Sequence, residues 1–314
     1  MSGKEKPKWL LAGGMGVIGR NLVKYLLDNK LASEIRVGDK RAPFMAFLGG
    51  DHKAALEDGA VECMQVDCAD EESVDRLFAE PRSGGSWDYV VNCAAETDLS
   101  RPESFHAKAA EAARLLARAA AAGGVKRFVQ VSSASVYAAG AKASGEAAKL
   151  APWTTAAEWA LKAEEAVRST AGLPWVVLRP AIVYGPGDTA GIMPRAVIAA
   201  TYKRMKDEKM EFLWGAELKM NTVHVFDVAR AIFFAAKKAE AGSSAFFSAG
   251  GSARCCWRAR SSSAAPHRAP LTHPSLSLSP CQSSTWPTSR TLTRARCRAC
   301  WAASLASRRA STAA

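Results

Sequence analysis

Short apolar runs alternate with amphipathic stretches along the first 185 residues. KWLLAGG (8–14) predicts a strand, and VIGRNLVKYLLDN (17–29) carries apolar residues at helical spacing. EIRVGD (34–39) predicts the next strand. The same alternation continues through four more apolar runs: VECMQVD, WDYVVNCAAE, KRFVQVSSASVY and LPWVVLRPAIVYG. This order predicts an α/β fold of the Rossmann type, a doubly wound parallel sheet covered by helices on both faces.

The pattern changes twice along the chain. We expect residues 1–185 to form a domain of the Rossmann type. Residues 186–250 would form a small, incomplete C-terminal substrate lobe, whose segments are interleaved with that domain. Residues 251–314 have no hydrophobic period and carry ten arginines but no Lys, Asp or Glu. They are either a disordered Arg/Ser-rich tail or an aberrant segment from a translated intron or a shifted reading frame.

Charge and composition narrow the classes of function. The net charge of +12 comes from the tail, because residues 1–250 carry 32 basic and 30 acidic residues. Binding of nucleic acid through the arginine tail is therefore a weak alternative. No apolar run reaches membrane-spanning length and the first residues are polar, so we expect a cytoplasmic protein without a membrane association. Cys297 and Cys300 have zinc-ligand spacing without a second pair, and we expect no metal site.

A glycine-rich motif follows the first predicted strand. Gly13, Gly16 and Gly19 stand between that strand and a helix, where glycines permit a tight turn and close approach of a pyrophosphate. Asp39 ends the second strand about 20 residues on, as a ribose-binding acid would. A carboxylate there repels a 2′-phosphate, which favours NAD over NADP. Asp67 follows the third strand and is either an adenine contact or a turn residue.

Five motifs in order resemble the extended short-chain dehydrogenases/reductases of the NAD-dependent epimerase/dehydratase group. They are AGGMGVIG, VVNCAAET, VQVSSASVYA, LRPAIVYGPGD and NTVHVFDVARAI, within residues 8–250. The resemblance implies that Ala94 and Ala95 line the cofactor and that Ser133 is the catalytic hydroxyl. It also places Pro180 and Val183 near the nicotinamide and the substrate.

The resemblance further implies a small-molecule substrate, with a nucleotide-sugar as the main expectation, and it allows a homodimer. A 3β-hydroxysteroid dehydrogenase-like enzyme is the alternative for the substrate. Val225 and Asp227 would lie beside the substrate pocket, although Asp227 is equally well explained as a helix N-cap.

One part of the family pattern is missing. Members of this family carry a tyrosine and, four residues later, a lysine on the helix that LAPWTTAAEWALKAEEAV (150–167) predicts. The acid that follows aligns these positions with Ala156 and Ala160. Trp159 cannot exchange a proton near neutral pH, and Lys162 lies about 160° around the helix from position 160. Two readings therefore stay open: an enzyme with an unrecognised base, and a non-catalytic NAD-binding scaffold or sensor.

Overall fold

The computed structural model describes residues 6–138, 140, 145, 148–208, 210–211, 215, 217–218, 220–238 and 243–247, the last five as backbone. The predicted tail lies outside these residues. The described strands are β1 Lys8–Ala12, β2 Glu34–Asp39, β3 Val61–Gln65, β4 Tyr89–Asn92, β5 Arg127–Val131, β6 Trp175–Pro180, β7 Ile182–Tyr184, β8 Thr222–His224 and β9 Ser243–Phe247. Seven of them form one sheet in the order β3-β2-β1-β4-β5-β6-β9, and β7 pairs with β8. All of these pairings are parallel.

Helices separate the strands. They are α1 Val17–Asp28, α2 Gly50–Leu56, α3 Glu71–Leu77, α4 Glu103–Ala122, α5 Thr155–Arg168, α6 Ile192–Lys206 and α7 Val225–Lys238. Two short 3-10 turns cover Pro43–Met45 and Ala134–Val136. Among the described residues, no helix is long and apolar enough to cross a membrane.

The sheet is buried on both faces. Along β1, Trp9 and Leu11 belong to the core on the side of α1 and α7, whereas Leu10 and Ala12 belong to the core beneath α3, α4 and α5. All four side chains are fully buried. A strand buried on both faces reads as a continuous apolar run, which is why KWLLA lacks polar alternation. The predicted doubly wound parallel sheet is confirmed.

The strand order fixes where a ligand can bind. The chain adds strands to one side of β1 as far as β3 and then returns to the other side at β4. The connecting loops leave β1 and β4 in opposite directions, which opens a crevice at the carboxyl ends of these two strands. Ligands of open α/β sheets bind in such a crevice.

The N-cap interpretation of Asp227 is wrong. The first residue of α7 is Val225, which is fully buried, so Asp227 lies in the first helical turn. Its carboxylate is exposed and lies 3.4 Å from the guanidinium of Arg230. An acid at this place still interacts favourably with the helix dipole.

Candidate cofactor and active site

The glycine loop begins where β1 and β4 come too close for a side chain. Gly13 follows β1 with a φ of 75°, and a Cβ on it would lie 2.5 Å from the backbone nitrogen of Ala94. The N–H of Gly13 donates to the carbonyl of Gly38 at 2.8 Å, which joins the loop to β2. Both the backbone conformation and the close approach therefore require glycine here.

The amino terminus of α1 is free of side-chain caps. Gly16 is the N-cap residue, no side chain accepts from the first turn, and that turn contains no acid. A Cβ on Gly19 would lie 2.5 Å from the Cα of Gly14, so the first turn packs directly on the loop. Unpaired N–H groups and the positive end of the helix dipole fit the pyrophosphate of a dinucleotide.

Asp39 is held rigidly beside this loop. It is the last residue of β2 and is 9% exposed. One carboxylate oxygen accepts the N–H of Met15 at 2.9 Å, and the other accepts the N–H of Arg41 at 3.0 Å. Each oxygen keeps a lone pair for a ribose hydroxyl. The position and the free acceptor sites of the carboxylate fit the hydroxyls of an adenosine ribose.

Arg20 is a site residue that the sequence analysis missed. Its side chain is buried, and its guanidinium donates to the carbonyls of Met15 at 3.0 Å and Ala46 at 3.2 Å. Burial lowers the pKa of Arg20, and the nearby charge of Asp39 acts in the opposite direction. The Met15 peptide is thus held from both sides, by Asp39 at its N–H and by Arg20 at its carbonyl. The polar pair of Arg20 and Asn21 among the apolar residues of α1 was the available signal.

A second polar contact joins three elements behind the loop. Asn21 on α1 donates to the carbonyl of Pro186 at 2.8 Å, after β7. Its side-chain oxygen lies 3.1 Å from Nε2 of His52 on α2. Burial and the charge of Arg20 lower the pKa of His52 below its ordinary 6.5. Burial and this charge therefore favour the neutral imidazole, which can donate its Nε2–H to the Asn21 oxygen.

The structure places the predicted site residues along one edge of the sheet. Asp67, Asp39, Gly13, Ala94, Ser133 and Pro180 follow or end β3, β2, β1, β4, β5 and β6, in that spatial order. Gly13 and Ala94 are in direct contact. Ala94 and Val183 are half-buried, Pro180 is buried and Ala95 is exposed. Asp67 lies farthest out, and its carboxylate pairs with Lys40 at 3.1 Å.

Ser133 organises the turn after β5. Its Oγ accepts the N–H of Ser135 at 3.2 Å and lies 2.8 Å from the Oγ of Ser135. The hydroxyl caps the 3-10 turn and is half-buried. The Oγ of the neighbouring Ser132 is buried and has no partner among the described residues. The turn therefore keeps hydrogen-bonding capacity at the carboxyl edge.

A buried ion pair fixes how α5 faces this turn. Glu164 is fully buried and accepts from Arg179 on β6, at 2.8 Å through Nε and 2.5 Å through Nη2. Arg179 also donates to the hydroxyl of Tyr137 at 2.8 Å, just after the Ser133 turn. Ala156 and Ala160 are the preceding members of the i, i+4 series that ends at Glu164. The methyl groups of Ala156 and Ala160 thus lie on one stripe of α5, the i, i+4 series that ends at the buried Glu164.

The other register for the missing pair does not fit. Trp159 donates its Nε1–H to Glu103 on α4 at 3.0 Å, so its ring points to that helix. A lysine four residues later would replace Ala163, which is buried. Lys162 lies with its ammonium 3.4 Å from the centre of the Trp159 ring, on the exposed face. The stripe through Ala156 and Ala160 therefore stays the predicted position of the pair.

The other candidates in the described residues are no better placed as bases. The Tyr137 hydroxyl is engaged by Arg179, and that side chain is 5% exposed. Tyr202 and Lys206 on α6 also have Tyr-x-x-x-Lys spacing, but the Tyr202 hydroxyl donates to Glu208 at 3.0 Å on the surface. Burial raises the pKa of Cys93, beside Gly13, to about 12, so that thiol stays protonated. Throughout residues 148–168, all of which the structure describes, the Tyr-x-x-x-Lys pair is absent.

Comparison with known proteins decides the family. The model of the NAD dependent epimerase/dehydratase family matches residues 9–250. The chain belongs to this family. The NAD dependence of the family confirms the predicted cofactor. Residues 9–250 contain all of the predicted site residues.

Solved structures share the fold. WbmG from Bordetella bronchiseptica, in complex with NAD, is 23% identical, with a TM-score of 0.63, over 79% of this chain and 74% of that one. UDP-N-acetylglucosamine 4-epimerase from Methanobrevibacter ruminantium is 18% identical, with a TM-score of 0.66, over 79% and 78%. dTDP-glucose 4,6-dehydratase from Bacillus anthracis, in complex with NAD, is 22% identical, with a TM-score of 0.65, over 78% and 76%.

One curated relative matches over a shorter stretch. The low-salt glycan biosynthesis protein Agl12 of Haloferax volcanii is 31% identical over 134 residues. That alignment covers 41% of this chain and 40% of the relative.

Proposed function

We propose that this protein binds NAD at the Gly13–Gly19 loop and acts on nucleotide-sugars as an epimerase/dehydratase-type oxidoreductase of low intrinsic turnover. The observation that carries the proposal is the contact between Gly13 and Ala94 in the crevice at the carboxyl ends of β1 and β4. This contact lies beside the fixed carboxylate of Asp39. The solved relatives named for nucleotide-sugars support the substrate class.

Each part of the site has its own task. Bound NAD supplies a group that accepts and returns hydride. The amino terminus of α1 holds the pyrophosphate, and Asp39 accepts from the ribose hydroxyls. Ser133 holds the substrate oxygen by a hydrogen bond, because its hydroxyl stands at the end of β5. Proximity and this one hydrogen bond are what the chain contributes to the chemistry.

The cofactor site is tested by adding one methyl group. Gly13→Ala places a Cβ against Ala94 at a positive φ. This change destabilises the folded chain by more than about 1 kcal/mol and displaces the loop. We expect loss of NAD binding in calorimetry. Gly59→Ala is the control, because no atom lies within 4 Å of its new Cβ. NAD affinity that is equal in both variants would place the cofactor elsewhere.

The activity is tested by supplying substrates to the full chain. UDP-glucose and dTDP-glucose are incubated with the protein and NAD, and the products are separated by chromatography. Slow conversion that falls further in Ser133→Ala supports the proposal. Conversion that is unaffected by Ser133→Ala refutes the assigned role of that hydroxyl.

The second candidate function is NAD binding without turnover, as a scaffold or sensor. It is favoured by the two methyl groups of Ala156 and Ala160 on the stripe that leads to the Glu164–Arg179 pair. NAD binding together with no conversion of either sugar nucleotide would select this function.

A further inference from the structure

A second cleft opens at the amino-terminal edge of the main sheet, opposite the cofactor edge. Its volume is about 720 Å³. Lys8 and Tyr89, which begin β1 and β4, form part of its lining, together with Leu31 after α1. β1 runs five residues from this edge to the glycine loop, so the two sites lie about 16 Å apart. The volume falls within the ~300–1,000 Å³ of small-molecule sites.

The lining of the cleft is strongly basic. Among the ten described residues that line it, Asp88 is the single acid. One oxygen of Asp88 pairs with Lys126 at 2.5 Å, and the other accepts the backbone N–H of Lys8 at 2.8 Å. The lysines come from four separate parts of the chain: Lys6 and Lys8, Lys30, Lys126, and Lys237. The ammonium of Lys8 donates to the carbonyl of Gly84. Five lysines against one aspartate leave an excess of four positive charges in the lining.

Two residues with unpaired donors flank Tyr89, a lining residue of the cleft, on the neighbouring strands. Trp9, Tyr89 and Arg127 are in register across β1, β4 and β5. Tyr89 lines the cleft, and its ring centre lies 4.7 Å from that of Trp9. Nε1 of Trp9 and both Nε and Nη1 of Arg127 are buried without a hydrogen-bond partner among the described residues.

The charge of Arg127 is also uncompensated. Within the described part of the chain it forms no ion pair, and burial lowers its pKa. A positive charge in a partly buried position without a counter-ion raises the local potential. An anion in the neighbouring cleft would supply the missing compensation. This observation is independent of the lysines that line the cleft.

We propose that this cleft binds a small molecule that carries two or more phosphate groups. Lysine ammoniums are compact charges that bind phosphate oxygens without a fixed orientation. Their distribution around the cleft suits several negative charges better than one. The bounded, concave shape suits a small molecule better than a polymer. The site is separate from the glycine loop, so it provides a second point of ligand binding.

The test uses the full chain and inorganic tripolyphosphate as the probe. Calorimetry is performed with saturating NAD, so that the glycine loop is occupied. The variant Lys30→Glu/Lys237→Glu reverses two charges of the cleft. The control Lys53→Glu/Lys203→Glu reverses two lysines in the last turns of α2 and α6. Both variants have the same net charge and the same arginine-rich tail.

We expect the cleft variant to bind tripolyphosphate at least about tenfold more weakly and the control to change by less than about twofold. Equal weakening in both would show general charge attraction and overturn the proposal. So would a lower melting temperature of the cleft variant with unchanged affinity, because Lys30 and Lys237 would then serve only the carboxyl ends of α1 and α7. Absence of binding at about 0.15 M ionic strength would also overturn it.

Discussion

Restoring the missing pair on α5 should raise turnover. The variant is Ala156→Tyr/Ala160→Lys, which places a phenol and an ammonium on the stripe that ends at Glu164. Both alanines are half-buried, so each position is partly open to solvent. A lysine four residues after a tyrosine lies on the same helix face. Its charge lowers the pKa of the phenol toward the range in which it can take a proton.

The size of the gain follows from what a general base supplies. Proton transfer by a positioned side chain is worth about 10²- to 10⁴-fold, or roughly 3 to 5 kcal/mol of barrier. In the proposed function Ser133 already supplies a hydrogen bond and the fold supplies proximity, so the variant adds only the contribution of the base. The assay is the rate of conversion of UDP-glucose or dTDP-glucose with bound NAD. Thermal unfolding of each variant checks that the helix is intact.

The chain offers a matched control. Glu158→Tyr creates the same spacing with the native Lys162, but on the exposed face of α5. We expect no gain from it, because this face lies away from the stripe of Ala156 and Ala160. Equal gains in the two variants would refute the assigned register. A native rate already near about 10 per second, typical of enzymes, would show that another base is present.

Three further predictions concern binding and stability. Asp39→Asn should weaken NAD binding and reduce the preference for NAD over NADP in calorimetry. Asp67→Asn, farther out on the sheet edge, should change the ratio of the two affinities little. A larger effect of Asp67→Asn than of Asp39→Asn would reassign the ribose contact. Glu164→Ala should lower the free energy of unfolding by about 3–5 kcal/mol, because it leaves a buried guanidinium unpaired. The exposed Glu165→Ala should change the free energy of unfolding by less than about 0.5 kcal/mol, and urea unfolding measures both values. Because the fold lowers the pKa of His52 below 6.5, stability is retained above that pH and is lost as pH falls below it. Thermal melting of His52→Gln should therefore depend less on acidification than melting of the native chain.

The strands and the glycine loop were predictable because their signals are local. β1 is a continuous apolar run and Gly13 follows it directly, so five to ten residues of sequence contain the whole pattern. Asp39 was identified for the same reason, since it ends the next apolar run. The absence of the Tyr-x-x-x-Lys pair could likewise be read from one short segment of the sequence. These features depend on residue type at a fixed spacing and not on distant partners.

The polar contacts that support the site were not predictable in this way. Arg20 contacts the carbonyl of Ala46, 26 residues away, and Asn21 contacts that of Pro186. The pair of Glu164 and Arg179 depends on α5 packing against β6. Each contact joins segments that only the folded chain brings together. A charged residue next to apolar helix positions, as at Arg20, indicates such a contact without identifying its partner.

Cofactor binding and proton transfer are structurally separable in this fold. The proposed cofactor contacts are part of the backbone packing, since Gly13 lies against Ala94 and the Met15 N–H bonds Asp39. Loss of these contacts would disturb the sheet itself. Ala156 and Ala160, in contrast, are half-buried positions on a helix, and alanine is the strongest helix former. Replacing a tyrosine and a lysine there costs the fold little while the Glu164–Arg179 pair still anchors α5. This fold therefore allows the proposed NAD site to be kept without a tyrosine and a lysine at these two positions.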